Sequence, residues 1–417
     1  MRIFPFFLST AALLITAAPL AAQHDMNDMP GMQGMPGMSQ TSPETMQASG
    51  TSFNPAASPM AMIHVPLGRW TLMFHGVVFL TEIQQTGPRG EDKFASMNWF
   101  MAEASHPLAG GTFSVRSMLS LDPATITGER YPELFQTGET AYGKPIIDGQ
   151  HPHDLFMELA LEYTHPLGDG SRFRIYAAPV GDPALGPVAF PHRVSAAELP
   201  QATLGHHLED STHISDEVVT LGASHGIFGV EASGFHGREP NENRWNIDHG
   251  AVDSWSGRLT ITPNDRWSGQ VSAGRLTQPE ALEPGDQIRT TASVTYVRPF
   301  ARGDWATSLI WGRVHKTGNG DNLNGFDLES VARFRSSNYV TGRIEAVDKD
   351  ELVATGIHRI GAYTAGYTRD IPLIPRIASG LGANLTAYSM DPDVHRYYGA
   401  HPVAVLVFLR FRLKGAS

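Results

Sequence analysis

Met26, Met29, Met32, Met35 and Met38 recur at every third position in a Gly- and Pro-rich segment just behind His24 and Asp25. Thioether sulfur is a soft ligand that binds without losing a proton, so such a run suits copper(I) over a range of pH. A flexible backbone lets two or three sulfurs close around one ion. The plain alternative is a low-complexity spacer in which methionine is incidental. Against it, the segment has no core for a methionine to fill.

Imidazoles form a second set of donors. His151, His153 and Asp154 stand together in His-Pro-His-Asp, and His206, His207 and His213 fall close together around Leu208-Glu209-Asp210. Imidazole suits copper(II), zinc and nickel, so two long connections carrying these residues can offer one ion a shared site. The competing reading is punctuation, because His-Pro also occurs at 106, 165 and 401 where turns are expected. His75, on a strand with Thr71 and Thr81, reads as lumen lining.

Catalysis finds little support in the residues. Neighbours on a strand point to opposite faces, so Ser224 with His225 does not make nucleophile and base directly, and the other nearby pair, Ser211 with His213, is discounted with it. No phosphate-binding loop or dinucleotide fingerprint is present. The chain reads as a non-enzyme with no obligatory cofactor, a copper ion being the one bound species the residues suggest.

The elements that position these donors are strands. Segments of alternating apolar and polar residues are expected at 69–84, 93–104, 111–122, 154–165, 171–180, 215–224, 227–237, 252–262, 266–276, 287–298, 303–315, 325–335, 338–347, 355–369, 376–389 and 400–413. Brief links such as His106-Pro107-Leu108-Ala109-Gly110 and Pro263-Asn264 follow the even-numbered segments, and longer ones follow the odd. An even strand count with short and long links in alternation predicts an all-β, transmembrane antiparallel barrel of about 16 strands, within a range of roughly 14 to 18. The mean hydropathy of −0.19 fits, since greasy and wet faces average out. After residue 22 no apolar run reaches the roughly 18 residues of a spanning helix. The competing fold is a soluble β-sandwich or propeller, but no blade-length repeat is visible.

Arg2 and the apolar stretch to Ala22 read as a secretory signal (1–22). Residues 23–65 read as a disordered Met/His-rich tail in the periplasm, and 66–417 as the barrel. With no cysteine, disulfides and thiol chemistry are excluded. A net charge of −11 argues against nucleic-acid partners. An Arg facing the bilayer midplane costs roughly 2 to 4 kcal/mol, so Arg258, Arg289, Arg410 and Arg412 are placed inside. Glu158 and Glu162 share one face of a strand and are expected in the lumen near Arg116, Arg172 and Arg174. The segment from Gly138 to Leu155 is expected to fold inward as a plug or constriction. Trp70, Trp99, Trp245, Trp255, Trp267, Trp305 and Trp311 are candidates for interfacial girdles, some of them for core.

The order of signal, Met/His-rich tail and acidic barrel, carried by Met26 to Met38, resembles the B-type outer-membrane copper-resistance proteins of Gram-negative bacteria. That resemblance implies copper sequestration or export, with periplasmic metal-handling proteins as partners beside the outer-membrane lipid. The stretches Gln136-Thr137-Gly138-Glu139-Thr140 and Asp148 through Glu158 look like those of uncharacterised bacterial outer-membrane proteins, a resemblance that brings no activity. Two functions follow as expectations: copper or other soft-metal binding, tolerance or export, and alternatively a general porin-like channel for small solutes. Oligomeric state is left open by the residues.

Overall fold

The computed structural model describes residues 45–59 and 62–414. The expected signal segment, His24 and the methionines Met26 to Met38 lie outside them. The described chain closes sixteen long antiparallel strands into a barrel. In chain order they are β1 (Trp70–Gln85), β2 (Lys93–Leu108), β3 (Gly111–Leu119), β4 (Phe156–Gly168), β5 (Ser171–Gly181), β6 (Ser215–His225), β7 (Phe228–His236) and β8 (Ser254–Asn264). The second half runs β9 (Trp267–Leu276), β10 (Gln287–Phe300), β11 (Gly303–Lys316), β12 (Asn322–Phe334), β13 (Asn338–Lys349), β14 (His358–Asp370), β15 (Ile377–Ser389) and β16 (Val403–Leu413). All sixteen coincide with expected segments.

The seam is shared. β16 pairs with β1 from Val77 to Gln85, and the short strand Ile63–Leu67 pairs with the rest of that edge, from Trp70 to Phe74. Among the described residues no long edge is left for another chain to extend, which is how a barrel satisfies its backbone in hydrocarbon.

Alternation separates the two faces one residue apart. Val294, Leu309, Leu328, Ile344 and Tyr363 are cross-strand partners in a continuous row over β10 to β14, and all five are exposed. The adjacent row, Thr295, Ser308, Glu329 and Arg343, is likewise in register and buried. A slip of one residue would turn Glu329 and Arg343 into lipid, so this pattern fixes the register. Trp267, Tyr296 and Trp305 cluster on the outer wall near the short-turn end, with ring centroids 4.4 and 5.7 Å apart, as an interfacial girdle requires. Trp99 departs from that set and is buried inside, against His75 at 4.7 Å.

The links alternate as expected. At Ala109-Gly110 and Asp169-Gly170 both residues have positive φ, the conformation that tight hairpins between twisted strands favour. The long-loop end carries residues 120–155 and 182–214.

Part of the expected tail is ordered. Residues 45–59 lie within the barrel, where Gln47, Ser49, Thr51 and Asn54 hydrogen-bond to lumen side chains and to the loop 182–214. Small polar residues build no core of their own, so the segment reads as disorder. A charged lumen supplies the partners its composition lacks.

Leu309 sits half-way along β11 on the outer row. Replacing it with Arg is expected to destabilise the folded barrel by roughly 2 to 4 kcal/mol, read from the denaturant midpoint in lipid vesicles. An unchanged midpoint would mean that this row does not face hydrocarbon.

Candidate functional site

The lumen wall presents opposed rows of acid and base. On β2 to β5, Arg116 meets Glu103 at 2.9 Å, Glu158 at 3.1 Å and Glu162 at 3.8 Å, while Arg174 meets Glu162 at 3.4 Å. Arg258 of β8 pairs with Glu231 of β7 at 2.8 Å. Arg172 and Arg174 line a cavity of about 300 Å³ at the short-turn end. Arg289 lies within 3.5 Å of Glu239 near the long-loop end. Arg410 and Arg412 of β16 both reach Glu198.

Glu198 is not a wall residue. It belongs to the loop 182–214, which enters the lumen and lies along the far wall. Arg193 of that loop is sealed from solvent and contacts Asp210 at 2.9 Å and Glu329 of β12 at 3.1 Å. Ser195 donates to Glu329 at 2.7 Å and shares a hydrogen bond with Ser308 of β11 at 2.6 Å. Arg343 of β13 donates to the Ala202 carbonyl at 3.0 Å and meets Glu329 at 3.1 Å. Asn384 of β15 donates to the Glu198 carbonyl at 3.2 Å. The loop is thus bonded to β11, β12, β13, β15 and β16.

Residues 47–54 occupy the opposite wall. Arg116 donates to the Gly50 carbonyl at 2.9 Å, the Gly50 amide donates to Glu158 at 3.2 Å, and Arg258 donates to Thr51 at 2.7 Å. Asn54 joins the two inserts, donating to the His192 carbonyl at 3.0 Å and accepting from the Val194 amide at 3.3 Å. Together they fill the lumen from both sides. The segment 138–155 folds inward, with Ile146, Asp148, Gln150 and Asp154 buried and Gly138 against His207 of the loop 182–214, and just before it Phe135 stacks on Tyr398 at 4.2 Å and joins a buried cluster with Leu204 and Leu208. The crossing itself is made by 182–214, because only that link carries Arg193 and Glu198 to complement the wall.

The loop histidines converge where these links meet. His151, His206 and His207 each place one ring nitrogen within 4.8 Å of the others. His153 and His213 lie beside them, with ring centroids 5.7 Å apart and His213 5.3 Å from His206. Carboxylates orient several rings: Asp210 at 2.6 Å from His206, Glu139 at 2.9 Å from His151 and Asp122 at 2.9 Å from His153. Asp154 is instead held by Arg244 at 3.3 Å and is not one of the three converging ligands. Gly138 has φ +121°, and a Cβ there would lie 2.5 Å from the His207 ring, so only glycine leaves room for it.

Burial sets the protonation of this cluster. It lowers His206 to about 4, against the opposing hydrogen bond from Asp210, and His207 to about 3, against the charge of Glu139. Burial also pushes His192 and His213 well below the ordinary range, helped by their histidine neighbours. Asp154 is raised to about 6 by burial, with Arg244 opposing. Burial works to raise Glu139 as well, but His151 and Arg244 outweigh it and hold that carboxyl low. Buried imidazoles kept neutral have lone pairs to offer a cation.

No protein-family pattern matches the sequence, and no curated protein matches it. Solved structures do. The anion-selective porin from Comamonas acidovorans superposes with a TM-score of 0.53, covering 82% of this chain and 100% of the porin at 12% identity. Salmonella typhi OmpF, in a complex with daunomycin, gives 0.51 over 84% of this chain and 100% of its own at 10% identity. The fold is porin-like.

Within that porin-like barrel, Arg193, Ser195, Glu198, Asp210, Glu329 and Arg343 are the site residues that sequence reasoning missed. A signal existed. Ala184, Leu185, Val188, Phe190, Val194, Leu199 and Leu204 make the loop far too apolar to sit in water, and a long apolar link has to be buried. His225, by contrast, stands at the short-turn end, where it meets Ser171 of the neighbouring strand β5 at 2.8 Å.

His192 lines a cavity of about 80 Å³ with His75, Trp99 and His153, and both its ring nitrogens are buried without a hydrogen-bond partner. Its folded pKa lies below the ordinary 6.5, so above that value it is neutral whether folded or not. As pH falls through 6.5 the unfolded chain takes up a proton that the folded chain refuses, and stability is lost. Thermal midpoints in detergent should therefore fall on acidification, and His192→Phe should make the decline shallower. Equal slopes for the two proteins would show that His192 does not stay neutral in the fold.

Proposed function

We propose that the chain is an outer-membrane channel of the porin type for small polar solutes, held closed by its own loop 182–214 and by residues 47–54. The observation that carries this reading is the lumen wall: rows of polar and charged side chains run along β3 to β8 and β11 to β13, as a water-filled path needs, and the two inserts bind to them by hydrogen bonds and ion pairs. Apolar contacts of Val194, Leu204 and Leu208 with the wall accompany these polar ones. Ionic contacts with a polar wall can be exchanged for water when the loop moves. The long loops face the cell exterior in this reading, as in other barrels of the class.

A second reading is handling of copper or another soft metal. It is supported by the spacing of Met26 to Met38 and by the convergence of His151, His206 and His207. In that reading the tail captures copper(I) in the periplasm, passing it to or from metal-handling proteins there, and the barrel anchors it or passes ions. Protein from copper-stressed cells should then carry more copper per chain than a version lacking residues 24–40.

The channel reading is tested at Arg193. Replacing it with Met leaves Asp210, Asp327 and Glu329 buried without their shared cation, a loss of roughly 3 to 5 kcal/mol in the docking of the loop. In planar bilayers the native protein is expected to give few openings, and Arg193→Met or a chain shortened within 187–204 to give frequent ion steps. Absence of conductance in all three at any voltage would end the channel reading.

A further inference from the structure

We propose that His151, His206 and His207 bind one divalent first-row transition-metal ion of the zinc or copper(II) class, tying the loop 120–155 to the loop 182–214 over the lumen. The three nitrogens come from two links that share no strand, and they lie within 4.8 Å of one another. Metal bonds of about 2.0 to 2.1 Å place tetrahedral ligand atoms roughly 3.3 Å apart, so small side-chain rotations close the set around an ion.

Three further features favour a ligand over a packed histidine cluster. The Nδ1 of His206 is bonded to Asp210 at 2.6 Å, and the Nε2 of His151 is bonded to Glu139 at 2.9 Å, the carboxylate-to-imidazole contacts that orient metal-binding rings, while the Nδ1 of His151 faces the Pro152 carbonyl at 2.8 Å and must turn from it to reach an ion. The Nδ1 of His207 is buried and makes no hydrogen bond, its nearest carboxylate being Glu239 at 3.5 Å. An unsatisfied buried nitrogen is costly, and a cation at the centre of the three rings would satisfy it. Finally, Gly138 holds a positive-φ conformation whose missing side chain leaves the clearance that the His207 ring occupies.

An ion held there joins the loop that crosses the lumen to the one packed above it. It would act as a latch on the closed state. The latch role rests on the channel reading, whereas binding of the ion does not.

The test uses the full chain in detergent, stripped with a chelator and titrated with zinc(II), then with copper(II). To remove any contribution from the methionines, the same titrations are run on a chain lacking residues 24–40. One ion per chain is expected to remain after that deletion, with nitrogen hyperfine structure in the copper(II) electron paramagnetic resonance spectrum. His207→Ala and His151→Gln, on different loops, should each weaken it at least about tenfold, and Glu139→Gln by about 10- to 100-fold. His249→Ala, on an exposed link, should leave it unchanged. Heat-modifiable migration of each variant shows that the barrel is intact. The site is overturned if the deleted chain retains no ion, or if either histidine variant binds as tightly as the parent. If the ion binds but leaves the openings of Arg193→Met unaltered, the latch falls and the channel stands. If it binds and no variant conducts, the channel falls and the metal site stands.

Discussion

A guanidinium sealed inside a barrel must find carboxylates, and this requirement organises the interior. Arg116, Arg193, Arg258, Arg343 and Arg410 are all buried and all paired. Removing such groups from water costs several kcal/mol each, and only close ion pairs with further hydrogen bonds offset it. The wall cannot do this alone. Glu198 and Asp210 come from the loop 182–214, and the Gly50 carbonyl and Thr51 hydroxyl come from the N-terminal segment. Taking the loop away would leave Arg412 without its carboxylate and Arg410 with Asp370 alone unless water replaced what was lost, whereas Arg116 and Arg258 keep wall carboxylates and lose only hydrogen bonds when the N-terminal segment leaves. The same chemistry therefore explains why the lumen is filled and how it can be emptied.

The outer surface obeys a separate constraint. Hydrocarbon offers the backbone no hydrogen bonds, so the sheet must close and its outer row must be apolar. Leu309 and Ser308 are neighbours in the chain yet serve lipid and plug respectively. Strand geometry keeps the two demands independent, since successive residues face opposite ways. At Gly312 the demands meet, because the absence of a side chain lets the Leu208 carbonyl of the loop approach to 2.2 Å from where a Cβ would stand.

The strands were legible because a period of two, repeated sixteen times with alternating link lengths, fits few folds besides a closed sheet. Their register was legible too, since Arg258 and Arg410 have no place in a lipid-facing row. The inserts were harder. Residues 45–59 have the composition of a disordered chain, and their order comes from partners more than a hundred positions away, such as Glu162 for Gln47. Loop 182–214 announced its burial by its apolar content but not its destination. For the histidines, sequence could place donors on two long links but not bring them together, and it grouped Asp154 with the imidazoles although Arg244 takes that carboxylate.

Charge pairing is expected to dock residues 193–210 against the lumen wall as firmly as the strands dock against each other. Native-state amide hydrogen exchange of the full chain in lipid measures this directly. Amides such as Leu204, bonded to Glu345 at 2.5 Å, should exchange as slowly as those of β11 to β13 at low salt. Exchange across 193–210 at the rate of a free loop, while those strands stay protected, would contradict the account.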